Sequence, residues 1–447
     1  MIDNQETKAG ERVVIVHPVV VEFNKDNSNK KTNIVRTPEA ALREAIGLAL
    51  AIELEVVHSE IVNIKVIKPA TFVGKGVVER IKEKVVETEA KLVFIDYALG
   101  PIQQRNLEKE LCVKVIDRTG LILEIFGARA NTKEGSMQVE LAAMEYQRSR
   151  LVKAWSHLER QRGGGGFTGG PGEKQKELDR RMIDDRIRKI KQDLDSVRKN
   201  RSLQRDARKK EPFPVVALVG YTNAGKSTLF NYITGEHVFA KDLLFATLDT
   251  TMRGIKMPSG KKAIFSDTVG FISELPHHLV AAFRATLEYV HDADVILHVR
   301  DISQDNTEAE KFDVEKILMD LGVDATTDDR VIDVLNKIDL LPEDERRSIT
   351  KRSERKEKSV AVSAVTGEGV ANLIKAIDDI LCKHQQIMKV SIGVTDGEAL
   401  AWLYSHGKVV ERCDDEDTIY LKIGLDSVNA DRFLNSFPYK LERSEEC

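Results

Sequence analysis

Residues Gly220-Tyr221-Thr222-Asn223-Ala224-Gly225-Lys226-Ser227-Thr228 follow a short apolar run, Val215 to Val219. A strand feeding a G-x-x-x-x-G-K-S turn must open a helix directly after it. This part of the chain is therefore committed to an α/β layer built around a phosphate-binding loop. The glycines let backbone N–H groups converge on a polyphosphate, and Lys226 brings positive charge to its β/γ oxygens. The Ser227 hydroxyl suits Mg²⁺, and the helix N-terminus adds the positive end of its dipole. Alone, the pattern points to a nucleoside triphosphate and leaves the base open.

Three further motifs follow in order. The apolar stretch Ala263 to Phe265 leads to Asp267-Thr268-Val269-Gly270. A carboxylate at a strand end can hold a metal through water, and the Gly270 N–H can meet a γ-phosphate. Val331 to Leu335 runs into Asn336-Lys337-Ile338-Asp339. There the aspartate can accept from guanine N1–H and the 2-amino group, and adenine would leave one of its oxygens unpaired. Val360 to Val362 leads to Ser363-Ala364-Val365, whose backbone can back the guanine O6. Each motif is common by itself. Four in this order, each at the end of an expected strand, mark a GTP-binding domain.

The chain of 447 residues has room for about three ordinary domains. Its 42% apolar and 31% charged residues fit a soluble globular protein, and the net charge of −4 leaves room only for local basic surfaces. The N-terminus lacks the basic start and apolar core of a signal peptide, and no run of about eighteen apolar residues is present. Cys112, Cys382, Cys413 and Cys447 are scattered, as expected of reduced thiols in the cytoplasm.

Four segments are expected. Residues 1–135 alternate strand and helix, the pattern of a parallel α/β sheet; Thr37-Pro38-Glu39 supply a cap, a first-turn proline and an acid for one of its helices. Residues 136–211 read as two long helices, to Arg162 and from Glu173, flanking a glycine-rich tip at 163–172. From 136 to 210 basic side chains exceed acidic ones by about nine, which fits either a solvated linker or an arm that binds nucleic-acid backbone. Residues 212–384 carry the GTP motifs, and 385–447 read as a small, acidic α+β domain.

With these residues laid out, the chain resembles the HflX family of ribosome-associated translational GTPases. The likeness rests on Phe72-Val73-Gly74-Lys75-Gly76, Val115 to Leu123, Gln138-Val139-Glu140-Leu141-Ala142 and Trp155 to Gln161. It continues through Gly170-Pro171-Gly172-Glu173, Asp179-Arg180-Arg181, Phe245-Ala246-Thr247-Leu248-Asp249 and Asp267 to Phe271. The resemblance implies binding to the large (50S) ribosomal subunit, splitting of stalled or idle 70S ribosomes, and contact of the arm with rRNA. The protein is expected to be a monomer in the cytoplasm, with peripheral membrane association left open. Thr247 resembles the switch threonine that binds Mg²⁺ beside Ser227, with Asp267 acting through water. Phe271 stands where Ras-like enzymes carry a water-orienting glutamine, so slow intrinsic hydrolysis and activation from elsewhere are expected. In similar GTPases an asparagine at the place of Asn223 helps seat K⁺, a second candidate ion. The catalytic candidates are thus Lys226, Thr247 and Asn223.

Two other readings share the same nucleotide site: a GTPase of ribosome assembly or RNA modification, and a regulatory switch whose hydrolysis only times release. A different class, an ATP-dependent RNA-remodelling enzyme, would use Gly74-Lys75-Gly76 as its phosphate turn.

Overall fold

The computed structural model describes residues 10–20, 36–130, 132–159, 171–208, 213–235, 244–245, 251–273, 290–355, 358–383, 386–415, 417–425 and 427–443. The first sheet is all-parallel, in the order β2 (Glu55–Ile64), β1 (Arg12–Val20), β3 (Leu92–Ile95), β4 (Lys114–Asp117). Its crossover helices are α1 (Pro38–Ala51), α2 (Lys75–Glu87) and α3 (Pro101–Leu111). Thr37 caps α1 by accepting from Ala40 N at 3.3 Å, and Pro38 occupies the first turn, as the sequence suggests. Val13 to Val16 and all of β3 are buried, as strands covered on both faces must be. α4 (Arg118–Arg129) follows β4 without a loop, because Asp117 accepts from Gly120 N at 2.8 Å and so caps the helix itself.

The helical arm consists of α5 (Lys133–Glu159) and α6 (Pro171–Arg208). α5 starts before residue 136, and α6 starts inside the stretch read as the glycine tip. Pro171 fits a first helical turn, where its missing N–H has no intrahelical role. The helices pack through Leu141, Ile187, Ile190 and Leu194, with Arg186 to Glu140 and Lys191 to Glu145 ion pairs at 2.7 and 2.9 Å. Residues 163–170 of the tip lie outside the described residues.

The GTP-motif segment forms a second sheet. Its strands are β5 (Val215–Gly220), β6 (Thr251–Lys256), β7 (Lys262–Asp267), β8 (Val295–Asp301), β9 (Val331–Asn336) and β10 (Ser359–Ala361). They lie in the order β10-β9-β8-β5-β7-β6, parallel except for β6. Helices α7 (Lys226–Thr234), α8 (Thr307–Asp320), α9 (Glu343–Glu354) and α10 (Val370–Lys383) accompany it. A smaller antiparallel sheet ends the chain, with β11 (Gln386–Gly393), β12 (Lys408–Asp414), β13 (Thr418–Leu425) and β14 (Glu442–Arg443). Helices α11 (Gly397–His406) and α12 (Ser427–Ser436) lie among these strands in sequence, and Ile392, Leu403, Ile423 and Phe433 fill this domain's core. Among the described residues no helix is long and apolar enough to cross a membrane.

One core cluster unites the first two sheets: Ile15, Leu48, Ile122 and Phe126 belong to it together with Val219, Tyr221, Phe245, Phe271 and Ile272. The N-terminal sheet therefore packs on the face of the GTP-motif domain that carries the phosphate loop.

His298, in the middle of β8, is fully enclosed, and its Nε2 has no partner among the described residues. Burial, aided by the nearby Arg300 charge, holds this imidazole down at about 3. The unfolded chain takes up a proton near pH 6.5 and the folded chain does not, so His298 supports the fold above that pH and opposes it below. Stability is expected to fall from this source by at most about 1.4 kcal/mol per pH unit as pH drops from about 6.5 toward 3. Glu310, raised to about 7 by burial, acts in the opposite sense. Urea unfolding of the parent and of His298→Gln at pH 7.5 and 5.5 isolates the histidine. The loss on acidification should be smaller in the variant, and an equal loss in both would refute the assignment.

Candidate functional site

Every motif lies at the carboxyl edge of the second sheet. β5 delivers the chain into residues 220–225, and α7 opens at Lys226 with its N-terminus at the loop. Gly225 has φ +88°, and a Cβ there would run into Asn336 Nδ2. Gly270 lies so close that a Cβ would sit 2.8 Å from Thr222 Cγ2 and 3.1 Å from Lys226 Nζ. Only glycine fits such a cradle, which lets phosphate oxygens approach the backbone closely.

Lys226 is buried and donates to Tyr221 O at 2.7 Å. Burial lowers its pKa to about 8, against the pull of Asp267 and Glu310; polyphosphate charge would restore it. Ser227 Oγ donates to Asp267 Oδ2 at 2.6 Å, so two oxygen ligands converge beside the loop. Hard oxygen donors of this kind fit Mg²⁺, which supplies charge neutralisation at the β/γ oxygens when bound. Thr268 lies one residue on and is turned away, donating from Oγ1 to Leu218 O at 2.5 Å. Asn223 stands at the loop with φ +60°, and the buried Thr222 and Ala224 and the half-buried Thr228 complete the loop and the start of α7.

Asn336 staples two motifs together, donating to Ala224 O at 2.8 Å and accepting from Ala364 N at 3.0 Å. It is a structural tie, and it engages one of the backbone donors expected to face guanine O6. Ser363 closes its own turn, accepting from Thr366 N at 3.1 Å, and Val365 is exposed. Lys337 lies in the left-handed region and donates to Asp301 Oδ2 at 2.7 Å. Ile338 is buried, whereas Asp339, in the short 3₁₀ turn that follows β9, makes no hydrogen bond among the described residues. Phe271, following Asp267-Thr268-Val269-Gly270, is 3% exposed. Its ring is buried in the core cluster shared with the N-terminal sheet, and its backbone ties to the loop through Thr222 N to Phe271 O at 2.7 Å.

The structure brings together residues 220–228, Asp267 to Gly270, Asn336 to Asp339 and Ser363 to Val365. Phe245 is buried at 2%. Ala246, Thr247, Leu248 and Asp249, and with them the expected metal-binding threonine, lie outside the described residues. The sequence reading missed Asp301, which also accepts from Ser303 N at 3.0 Å and Ser303 Oγ at 2.6 Å. Its signal was present: Asp301-Ile302-Ser303 ends an apolar strand as Asp267 does. The Gly74-Lys75-Gly76 turn is open instead; nothing lies within 4 Å of a Cβ at either glycine, and Lys75 points outward near Glu79. It has none of the cradle seen at Gly225 and Gly270.

Four family descriptions match in succession: "GTP-binding GTPase N-terminal" over residues 39–127, "GTP-binding GTPase Middle Region" over 129–208, "50S ribosome-binding GTPase" over 215–337 and "HflX C-terminal domain" over 348–439. A protein named GTPase HflX from Magnetococcus marinus is 49% identical over 86% of this chain and 88% of its own length. The chain belongs to the HflX family of GTPases. The GTPase HflX of Escherichia coli strain K12 is 44% identical over 83% of each chain. A GDP-bound GTP-binding protein from Sulfolobus solfataricus is 22% identical over 83% of this chain and 99% of its own, with a TM-score of 0.43. As an HflX-family member with a phosphate-loop fold, the protein is a GTPase.

Proposed function

We propose that this HflX-family GTPase acts on ribosomes, binding the large (50S) subunit through its helical arm and splitting stalled or idle 70S particles. The observation that carries the reading is the pairing of the GTP motifs gathered at one sheet edge with a basic two-helix arm. On α6, Arg180, Arg188 and Lys189 are exposed, suited to rRNA phosphates in a salt-dependent contact. The family that the GTPase segment matches, the 50S ribosome-binding GTPases, supports the same partner.

At the site, the N-terminus of α7 and Lys226 hold the β/γ-phosphates, and Gly270 N–H meets the γ-phosphate. Ser227 and Thr247 would hold Mg²⁺ directly and Asp267 through water, and the ion would neutralise charge on the β/γ oxygens. Asp339 reads guanine, with the Ser363 to Val365 backbone at O6. Water attacks the γ-phosphorus, the bond to the β-bridging oxygen breaks, and GDP and phosphate leave. Phe271 has no group to orient that water, so the isolated enzyme is slow. Asn223 would help hold K⁺, whose positive charge would offset the charge that develops at the bridging oxygen.

Hydrolysis is expected to rise by at least about tenfold when 50S or 70S particles are added, a modest demand beside the activations that partners produce in other GTPases. Phosphate release assayed in K⁺ and in Na⁺ at equal ionic strength checks both parts. A fast basal rate that ribosomes leave unchanged contradicts ribosome activation, and equal rates in the two salts remove the role of Asn223.

A further inference from the structure

In the N-terminal sheet, β1 connects to β2 on one side and β2 then crosses back to β3 on the other. The direction in which successive strands are added therefore reverses between β1 and β3, and open parallel sheets bind their ligands at the carboxyl edge of such a switch point. The polar side chains there are His17 on β1, Asp96 after β3, Arg118 after β4 and Glu44 on α1.

They are occupied. Arg118 donates from Nη1 to Asp96 Oδ1 at 2.6 Å, and Asp96 Oδ2 meets His17 Nδ1 at 2.8 Å. The other end of the guanidinium donates to Glu44, to Ser273 O at 3.0 Å and to Ser273 Oγ at 2.9 Å. Ser273 Oγ donates to Glu44 Oε1 at 2.8 Å, and Ser273 N donates to the Tyr221 hydroxyl at 2.7 Å. Tyr221, in the phosphate loop, donates in turn to Glu44. Ser273 thus uses its N–H, its C=O and its hydroxyl in one buried network, three residues beyond Gly270. A second contact is independent of the first. On the same two helices, Gly47 of α1 lies against Leu244, and Phe126 of α4 meets Phe245 edge-on at 4.7 Å. Leu244 and Phe245 directly precede the segment that carries Thr247.

We propose that the crevice of the N-terminal sheet takes the protein's own Phe271–Ser273 segment as its ligand, and that this docking favours GTP over GDP. The sign follows from Gly270, which the docked segment holds against Thr222 and Lys226, at the side of the cradle where a γ-phosphate and not a β-phosphate would sit. This rests on the γ-phosphate placement given under Proposed function. Docking therefore fixes Gly270 N–H in reach of an oxygen that GDP lacks. By linkage, GTP must tighten the docking by the factor by which docking tightens GTP. Ser273 is a positioning residue, acting through Gly270.

The test uses the full chain and Ser273→Ala, which removes the hydroxyl contacts and leaves the backbone ones. Affinity for a non-hydrolysable GTP analogue is expected to fall by about tenfold and affinity for GDP to change less than about twofold. In the parent, amide exchange in segments 41–50 and 118–129 should be slower with the analogue than with GDP, and that difference should shrink in the variant. Equal weakening of both nucleotides, a tighter analogue, or exchange blind to the nucleotide would overturn the proposal. A parent that binds GDP but cannot distinguish it from the analogue points instead to failure of the γ-phosphate placement.

Discussion

Asp339→Asn is expected to lower affinity for GTP by about 100-fold or more and to leave a site that prefers xanthosine triphosphate. The carboxylate is held on the 3₁₀ turn after β9 with no hydrogen bond of its own among the described residues, so both oxygens remain for a base. Guanine presents two donors there, N1–H and the 2-amino group. An amide replaces one acceptor by a donor, so two donors face each other with no water to intervene. Xanthine carries a 2-oxo group instead and accepts that N–H. Titrating GTP and xanthosine triphosphate against the variant checks the exchange, and an unchanged preference for GTP refutes the guanine assignment.

Lys226→Ala is expected to reduce kcat for GTP by roughly 100- to 1,000-fold, the range for removing one preorganised group from developing charge. The side chain lies inside the cradle and donates to its own loop carbonyl at Tyr221, 2.7 Å away. Exchanging that carbonyl for phosphate oxygens requires only rotation of a flexible stem. Burial lowers its pKa to about 8, which leaves it mostly charged at pH 7 and more so beside phosphate. The variant should unfold at nearly the parent temperature, since among the described residues the hydrogen bond of the lysine tip is to a single loop carbonyl. Single-turnover phosphate release on the folded variant measures the effect; a loss below about tenfold would mean that the lysine does not touch transferring charge.

The nucleotide-site frame was legible because its chemistry is local. A phosphate loop, a metal carboxylate and a base-reading aspartate each need a short run of residue types at a strand end, and the sequence supplies those runs intact. The alternating N-terminal pattern gave its parallel sheet for the same reason. The contact between the two sheets was not legible. Arg118 lies 74 residues from Glu44 and 155 from Ser273, and each of these occupies an ordinary helix or loop position. A lone serine after a glycine motif says nothing until folding places two buried charges around it. Asn336 adds a part that no motif spells out: its side chain joins Ala224 to Ala364, tying the phosphate loop to the segment after β10. α4 escaped notice because Asp117 ends a strand and caps a helix at once, with no turn residues between.

Sedimentation shows whether this GTPase works on the large ribosomal subunit. Purified 70S particles are mixed with the full chain and GTP, GDP or a non-hydrolysable GTP analogue, and resolved on a sucrose gradient. With the analogue the protein should travel with 50S particles while the 70S peak shrinks, GDP should leave it near the top, and retention should weaken as salt rises. A protein that stays at the top with every nucleotide, beside an unchanged 70S peak, would contradict the account.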